Sequence, residues 1–402
     1  MNKMKWTANK LPKTEDKNLK LLSHQEAVKV RAFHESFPQY SKTPLVNLEN
    51  MASHLNVGGL FVKDESYRFG LNAFKVLGGS YAIARYIAGQ LGKDVSEVPY
   101  NVLTSEGLRK EFGQVTFFTA TDGNHGRGVA WAANKLGQKC VVYMPVGTTQ
   151  TRLEHVLAEN AEATIETVNY DDCVRKASQS AAAIENGVVI QDTAWEGYEE
   201  IPTWIMQGYG TMAFEADEQL GEYGCDRPTH IFVQAGVGSL AGAVQGYFAS
   251  RYAENEPTVV VVETQVADCL YQGAMAGDGE PRTVGGDMLT LMNGLACGEP
   301  STIAWDILRN HVHTFISATD PICAKGMRLL AAPMKGDTAV TAGESGAITM
   351  GVLYNIMKNK EYSDLKKELK LDENSKILLF STEGDTDPQR YQSIVWGGEN
   401  SI

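Results

Sequence analysis

The sequence predicts an α/β protein with two open, mostly parallel twisted sheets flanked by helices, in which a small domain is inserted into a larger one. The first observation behind this is that short β-branched runs alternate with helical patterns. Parallel strands require crossover connections of that kind. The second is that the alternation stops at a long helical pattern over residues 202–220 and then begins again. With 402 residues, the chain is long enough to bury two cores.

The elements follow in order from the N-terminus. Residues 1–40 are polar and predict an irregular arm with one helix over 24–36. Four strand patterns then form the small domain: VTFFTAT, KCVVYMP, ATIETV and GVVIQDT. The strands HIFVQAG, TVVVVETQ, HTFISATD and KILLFSTEG form the other sheet, joined by the early strand GLFVKDES, which has no place in the small domain. We therefore predict a small domain over residues 113–205 and a large domain formed by 1–112 and 206–402.

Composition excludes several classes of function. The net charge of −13 argues against nucleic acid and anionic membranes as partners. No apolar run reaches transmembrane length, and the N-terminus lacks the apolar stretch of a signal peptide. The six cysteines include no CxxC pair, which favours reduced thiols over a disulfide framework or a metal site. We expect a cytoplasmic protein without a metal, and leave open whether Cys269 and Cys297 pair.

The stretch DESYRFGLNAFKVLGGSYA (64–82) contains a lysine in an unusual place. Lys75 lies between Phe74 and Val76, at the start of a helical pattern. Burial disfavours its charge, and the helix dipole opposes a cation at that end. Both effects predict a lowered pKa and a nucleophilic amine suited to Schiff-base chemistry. The alternative is a lysine whose stem is half buried and whose ammonium reaches solvent.

A glycine-rich turn, QAGVGSLAGA (234–243), follows the strand HIFVQ. Ligands in open α/β sheets bind beyond the carboxyl ends of strands. Gly236 and Gly238 let the backbone approach an anion, and a helix that starts near Ser239 offers free N–H groups, so we predict a phosphate site. A rival interpretation is a dinucleotide fingerprint completed by Glu263, as in an NAD-dependent oxidoreductase. Its third glycine is one residue late, and it leaves Lys75 unexplained.

A second turn that opens a helix is TATDGNHGRG (119–128). Its N–H groups suit a small carboxylate, and Asn124 is a donor for an anionic oxygen, whereas His125 is expected to pack or cap. Asp122 is the odd member, because a carboxylate repels an anionic ligand at short range. It makes sense as a proton acceptor, or if the ligand carries a compensating ammonium. Capping the helix is the alternative.

Two further strand ends carry polar groups. Asp192 follows the strand GVVIQ and is a second candidate acid or base. Ser381 and Thr382 follow the last strand, where a neutral hydroxyl is placed to meet a ring nitrogen.

Together these motifs resemble one known family. A Phe-Lys at a helix start, a GNHG turn, a glycine-rich loop, ESGA and a hydroxyl after the last strand resemble the pyridoxal-phosphate enzymes of the tryptophan-synthase β-like fold (fold type II). The resemblance covers most of the chain from Thr43 onward. Within that fold, TDGNHG with Asp in place of the usual Ser, QDTAWEGYEEIPTWIMQGYGT and STEGDTDP resemble the diaminopropionate ammonia-lyases.

The resemblance implies a role for each matching residue. Lys75 would hold the cofactor as a Schiff base, Asn124 would bind its phenolic oxygen, and Thr382 would face its ring nitrogen. Gly236, Val237, Gly238, Ser239 and Leu240 would bind the phosphate, and Thr121, Asp122, Gly123, Asn124 and His125 would hold the substrate carboxylate. Glu344, in ESGA, would lie near the ring without a defined role.

The implied reaction is elimination of ammonia from D- and L-2,3-diaminopropionate, which gives pyruvate and two ammonia. Lys75 would serve as base for the L isomer, and Asp122 with Asp192 for the D isomer. A homodimer is also implied. The alternatives are a serine or threonine dehydratase or a threonine synthase of the same fold, which would have Ser rather than Asp in the turn. Outside the fold they are the oxidoreductase and a small-molecule-binding protein without catalysis.

Overall fold

The computed structural model describes residues 3–401, and over this range the chain forms two sheets flanked by helices, as predicted. The smaller sheet has the four predicted strands, and the larger has seven, two more than predicted. The strands are β1 (Lys5–Ala8), β2 (Leu45–Asn47), β3 (Gly59–Asp64), β4 (Thr116–Ala120), β5 (Lys139–Met144), β6 (Glu162–Ile165), β7 (Gly187–Val189), β8 (His230–Gln234), β9 (Thr258–Thr264), β10 (Thr314–Ala318) and β11 (Lys376–Ser381).

The larger sheet has the order β1-β10-β9-β8-β11-β3-β2, and the smaller has β6-β5-β4-β7. All pairings are parallel except those of the two edge strands, β1 with β10 and β2 with β3. The strand predicted from GLFVKDES is β3, and it lies in the larger sheet. The N-terminal arm differs from the prediction, because it contributes the edge strand β1. The four strands of the smaller sheet lie within residues 113–205, while the division into domains at those boundaries stays a prediction.

Helices cover the faces of both sheets. They are α1 (His24–Glu35), α2 (Glu49–Leu55), α3 (Val76–Gln90), α4 (Tyr100–Leu103), α5 (Glu106–Phe112), α6 (Asn124–Lys135), α7 (Gln150–Leu157), α8 (Tyr170–Ala182), α9 (Glu200–Glu222), α10 (Ser239–Arg251), α11 (Cys269–Ala276), α12 (Thr302–His311), α13 (Asp320–Ala331), α14 (Glu344–Lys358), α15 (Ser363–Glu368) and α16 (Pro388–Val395). In the described part of the chain, none is both long and apolar enough to cross a bilayer.

Two hydrophobic cores lie on opposite faces of the larger sheet. Successive residues of its strands alternate between them; in β8, for example, Ile231 and Val233 belong to one core and Phe232 to the other. The first core continues into the smaller sheet through Phe117 and Val142. The two sheets therefore share one continuous apolar interior.

Glycines bring the backbones of three helices into contact near Lys75. A Cβ on Gly208 of α9 would lie 2.4 Å from the Leu77 carbonyl oxygen of α3, so a side chain there would displace the helix. A Cβ on Gly128 of α6 would lie 2.8 Å from the backbone of Val76. Lys75 immediately precedes α3, so both contacts fix the start of the helix next to it.

A fully buried network of four charges anchors the segment that leads to Lys75. The Lys63 Nζ lies 2.8 Å from Glu215 Oε2, and the Arg68 Nη2 lies 2.8 Å from both Glu65 Oε1 and Glu215 Oε2. Burial would raise the pKa of Glu215, but the charges on Arg68 and Lys63 lower it to about 2. Two cations and two anions balance, and the network ties β3 and the turn after it to α9.

Replacing Glu215 with Ala should destabilise the fold strongly. The change leaves two cations buried against one anion, and breaking a buried pair in this way costs about 3–5 kcal/mol. Glu218 lies three residues further along α9 but on the surface, where it pairs with Arg31 and Lys42. The matched variant Glu218→Ala should therefore cost at most about 1 kcal/mol. The measurement is the midpoint of urea unfolding for both variants, and equal shifts would contradict a stabilising role for the network.

Candidate active site

A cavity opens where strands of both sheets end. Almost all of the predicted site residues line it: Lys75, Thr121, Asp122, Asn124, His125, Asp192, Gly236, Val237, Gly238, Ser239, Leu240 and Thr382. Gly123 is the exception; it is the residue before α6, and its backbone N–H donates to Thr121 Oγ1 at 2.9 Å. The cavity is also lined by Tyr170, Gln234, Ser345 and Glu383, for which the sequence predicted no individual role.

Lys75 and Asp192 form an ion pair inside this cavity. The Lys75 side chain is 19% exposed and that of Asp192 is 3% exposed. Burial by itself lowers the pKa of Lys75, but the Asp192 carboxylate outweighs burial and raises it above the ordinary value. The predicted lowering of the Lys75 pKa is therefore wrong for this structure. Burial and the helix dipole both lower the pKa of a lysine here, but the carboxylate that reverses the shift comes from 117 residues away along the chain.

Both carboxylate oxygens and the backbone carbonyl of Asp192 accept hydrogen bonds. Burial opposes its ionisation, but the charge on Lys75 keeps the pKa of Asp192 well below its usual range. Its second oxygen, Oδ1, accepts hydrogen bonds from the Tyr170 hydroxyl at 3.1 Å and the Gln191 amide at 3.2 Å. The Ser239 hydroxyl donates to its backbone carbonyl. Asp192 thus connects the smaller sheet to Lys75 and to the start of α10.

The start of α10 offers free backbone donors. Gly238 precedes the helix with a φ of +97°, and no side chain caps the first turn. Within residues 3–401, no side chain accepts from the first N–H groups of this 13-residue helix, and Gly238, Ser239 and Leu240 line the cavity, as an anion site requires. Behind this turn, Cys269 and Cys297 both carry free thiols, so the pairing left open from the sequence is not formed.

The turn after β4 contains a carboxylate that already has a cationic partner. Arg152 Nη1 of α7 donates to Asp122 Oδ2 at 2.7 Å, and the Arg152 side chain is only 3% exposed. Arg152 also lies 3.7 Å from Glu344, which in turn lies 3.4 Å from Arg390. Burial raises the pKa of Glu344 to about 7 against the opposing charge of Arg152. Arg152 was not predicted as a site residue, because it lies in an ordinary helical pattern.

The remaining residues of the turn have defined partners. The Asn124 side-chain amide donates to Glu383, and the His125 Nε2 bonds to the Ile190 carbonyl at 2.9 Å. Burial lowers the pKa of His125, which favours the neutral ring. Neither side chain caps α6, so the backbone N–H groups of its first turn have no side-chain acceptor.

The residue after β11 that faces the cavity is Thr382, rather than Ser381. Thr382 is 3% exposed, and its hydroxyl accepts a hydrogen bond from Gln234 Nε2 at 2.7 Å. By contrast, Glu263, the acid on which the dinucleotide interpretation depends, is fully buried and accepts from the backbone N–H groups of Leu270 and Tyr271. Its carboxylate caps α11, so it is not free to bind a ribose.

These features fit pyridoxal phosphate. The cavity brings together a primary amine, an uncapped helix start for a phosphate and a buried hydroxyl for a ring nitrogen, which are the groups that this cofactor requires. The family model described as "Pyridoxal-phosphate dependent enzyme" matches residues 37–380. Fold and site thus define a pyridoxal-phosphate-dependent enzyme, and the oxidoreductase interpretation is wrong.

Relatives narrow the family further. Diaminopropionate ammonia-lyase of Salmonella typhimurium is 52% identical over 384 residues, which is 95% of each chain. The crystal structure of the Escherichia coli diaminopropionate ammonia-lyase in complex with D-serine has a TM-score of 0.91 at 42% identity and covers 99% of this chain and 98% of that one. The same Escherichia coli enzyme, in complex with an aminoacrylate-PLP azomethine reaction intermediate, has a TM-score of 0.89 at 42% identity and covers 100% and 99%. The chain therefore belongs to the diaminopropionate ammonia-lyase family.

Replacing Gly238 with Asp should release the cofactor on dialysis. The substitution puts a side chain on a backbone with φ +97° and a negative charge at the predicted phosphate site. Gly277→Asp is the matched control, because Gly277 has a φ of +75° with open space around it and does not line the cavity. Cofactor content after dialysis is the measurement. Full occupancy in the Gly238→Asp protein would show that the phosphate binds elsewhere.

Proposed function

We propose that this enzyme converts 2,3-diaminopropionate and water into pyruvate and two ammonia, and that it accepts both the D and the L isomer. The observation that carries the proposal is Asp122, a carboxylate in a turn suited to a substrate carboxylate. Arg152 binds one of its oxygens and reduces the repulsion, which leaves Oδ1 for the second ammonium of the substrate. Serine has no such ammonium.

The chain provides the groups that hold the cofactor. When bound, pyridoxal phosphate supplies an electrophilic carbonyl carbon for an amine and a conjugated ring that takes up electron density from Cα. Lys75 would hold it covalently, and the α10 start, with residues 236–240, would hold its phosphate. Asn124 would bind the phenolic oxygen, and Thr382 the ring nitrogen.

The substrate carboxylate would bind at the start of α6. This helix has 12 residues and no side-chain cap, so its first N–H groups and its positive dipole end are available to an anion. Thr121 and Gly123 shape the turn through their own hydrogen bond, and neutral His125 packs beneath it. The bound carboxylate would fix the position of Cα relative to Lys75 and Asp122.

Two bases would serve the two isomers. The α-hydrogens of the D and L forms point in opposite directions from Cα, so one fixed base serves only one isomer. Lys75 would remove the proton of the L isomer, and Asp122, supported by Asp192, that of the D isomer. Asp192 has hydrogen-bond donors on both oxygens, which makes it better suited to hold Lys75 than to accept a proton itself. The β-amino group then leaves as ammonia.

We also propose that the enzyme is a cytoplasmic homodimer. All six cysteines are free and buried, which is compatible with a reducing compartment. Light scattering on the purified protein measures the mass directly, and a monomer of 43.9 kDa would contradict the dimer.

Replacing Lys75 with Ala should abolish both covalent cofactor attachment and turnover, because it removes nucleophile and base together. The wild-type enzyme should be yellow, with a band at about 410 nm, typical of pyridoxal Schiff bases. Borohydride should bleach that band and leave the cofactor on the peptide that contains Lys75. The exposed Lys29→Ala variant should behave as wild type. Cofactor fixed to a different lysine would contradict the assignment.

Replacing Asp122 with Asn should reduce turnover of D-diaminopropionate by about 10² or more, the usual contribution of a general base. Lys75 is still present, so the L isomer should lose less, mainly through weaker binding of its β-ammonium. Asp122→Ser recreates the turn of the hydroxyamino-acid dehydratases and should shift relative activity toward L-serine. The measurement is kcat/KM for both enantiomers of diaminopropionate and of serine.

The two variants separate the alternatives. Equal losses for both diaminopropionate isomers would contradict the two-base scheme. Undiminished D activity in Asp122→Asn would transfer the role to Asp192. A wild-type enzyme that prefers serine over diaminopropionate would instead support the serine dehydratase alternative.

A further inference from the structure

Gln234 connects two neighbouring strands directly beneath the cavity. It is the last residue of β8, is 1% exposed, and donates through Nε2 to Thr382 Oγ1 at 2.7 Å and to the Phe380 carbonyl oxygen at 3.1 Å. Phe380 and Thr382 belong to β11 and its end, the strand next to β8. The roles described so far do not require Gln234.

The Phe380 carbonyl determines which way the Gln234 amide points. A carbonyl oxygen only accepts hydrogen bonds, so the amide atom beside it must be the NH₂ group; the flipped amide would set two acceptors against each other. The NH₂ group has two hydrogens, and both are used, one on Phe380 and one on Thr382. The backbone carbonyl of Phe380 therefore fixes the Gln234 NH₂ group as the donor that faces Thr382.

The orientation of the Thr382 hydroxyl follows from this. Its oxygen accepts from Gln234, so its single hydrogen must go elsewhere, and among residues 3–401 no protein acceptor takes it. Thr382 lines the cavity, so this hydrogen is available to a ligand. A ligand N–H in that place would leave the hydroxyl hydrogen buried and unpaired, which is unfavourable.

We propose that Gln234 is a positioning residue that makes the Thr382 hydroxyl a hydrogen-bond donor toward the cavity, and so holds the pyridine nitrogen of the cofactor unprotonated. The inference rests on the proposed function for the presence of the cofactor. It adds that the protonation state of the ring depends on Gln234, which acts only through Thr382. A neutral ring nitrogen withdraws less electron density, which favours elimination over competing reactions of the cofactor.

The test is the ¹⁵N resonance of the ring nitrogen in enzyme reconstituted with pyridoxal phosphate labelled at that nitrogen. The wild-type resonance should have the value of an unprotonated pyridine and be independent of pH. In Gln234→Glu, the neutral carboxyl group donates its proton to the Phe380 carbonyl oxygen and accepts the Thr382 hydrogen, so Thr382 is free to accept from a ring N–H. The resonance should move to the value of the free cofactor below its ring pKa.

A second variant covers the case in which a buried glutamate prevents folding. Gln234→Met keeps the length of the side chain but removes the donor, so the ring nitrogen should become titratable and its resonance pH dependent. Gln245→Met is the matched control, since Gln245 is a fully buried glutamine of α10 that does not line the cavity. Its resonance should match that of wild type.

The results distinguish the role of Gln234 from the proposed function. A protonated ring in wild type, or unchanged resonances in both Gln234 variants of a cofactor-loaded enzyme, would overturn the role of Gln234 and leave the proposed function standing. A wild-type protein that takes up no cofactor would overturn both.

Discussion

The ion pair between Lys75 and Asp192 is the interaction on which the site depends. Lys75 precedes α3, whereas Asp192 follows the last strand of the smaller sheet. The pair therefore joins the segment between β3 and α3 to the end of the smaller sheet, and the Ser239 hydroxyl donates to the Asp192 backbone carbonyl from the start of α10. Each charge is enclosed in a cavity where it would be costly alone. The pair therefore connects two parts of the cavity wall that come from distant stretches of the chain.

The long helix α9 fixes the position of the chain segment that contains Lys75. The buried charges of Lys63, Arg68 and Glu215 attach β3 and the following turn to α9. The close contact of Gly208 with α3 attaches the other end of the same segment to the same helix. The stretch from Lys63 to α3 is thus held at both ends by one rigid element, which gives the amine a defined position before any ligand binds.

The sequence predicted the interior of both sheets and most of the cavity. Buried parallel strands have continuous β-branched runs, and ligand-binding turns follow such strands. The runs that predict the strands therefore also predict where the cavity lies. It did not predict the edge strands β1 and β2, which are short, partly buried and paired across more than 300 residues in the case of β1. The assignment of individual residues to cofactor atoms came from family resemblance.

Ion pairs and hydrogen bonds between residues far apart in the chain could not be predicted from the sequence, for a physical reason. Arg152 and Asp122 lie 30 residues apart in separate elements, and Tyr170 reaches Asp192 from α8. Local patterns record which face of an element is buried, but they do not record which polar groups meet across an interior. The direction of the Lys75 pKa shift failed for the same reason, since it is set by a carboxylate whose position only the folded chain defines.

The glycine contact between α6 and α3 also bears on how the GNHGRG turn is used to recognise relatives. Gly128 is required because the Val76 backbone lies where its Cβ would be, whatever the cavity contains. A descendant that had lost its substrate, or its chemistry altogether, would still need this glycine to fold. Preservation of the last glycine of the motif therefore reports on helix packing, and a genome search that scores it as a mark of activity will count inactive paralogues as enzymes.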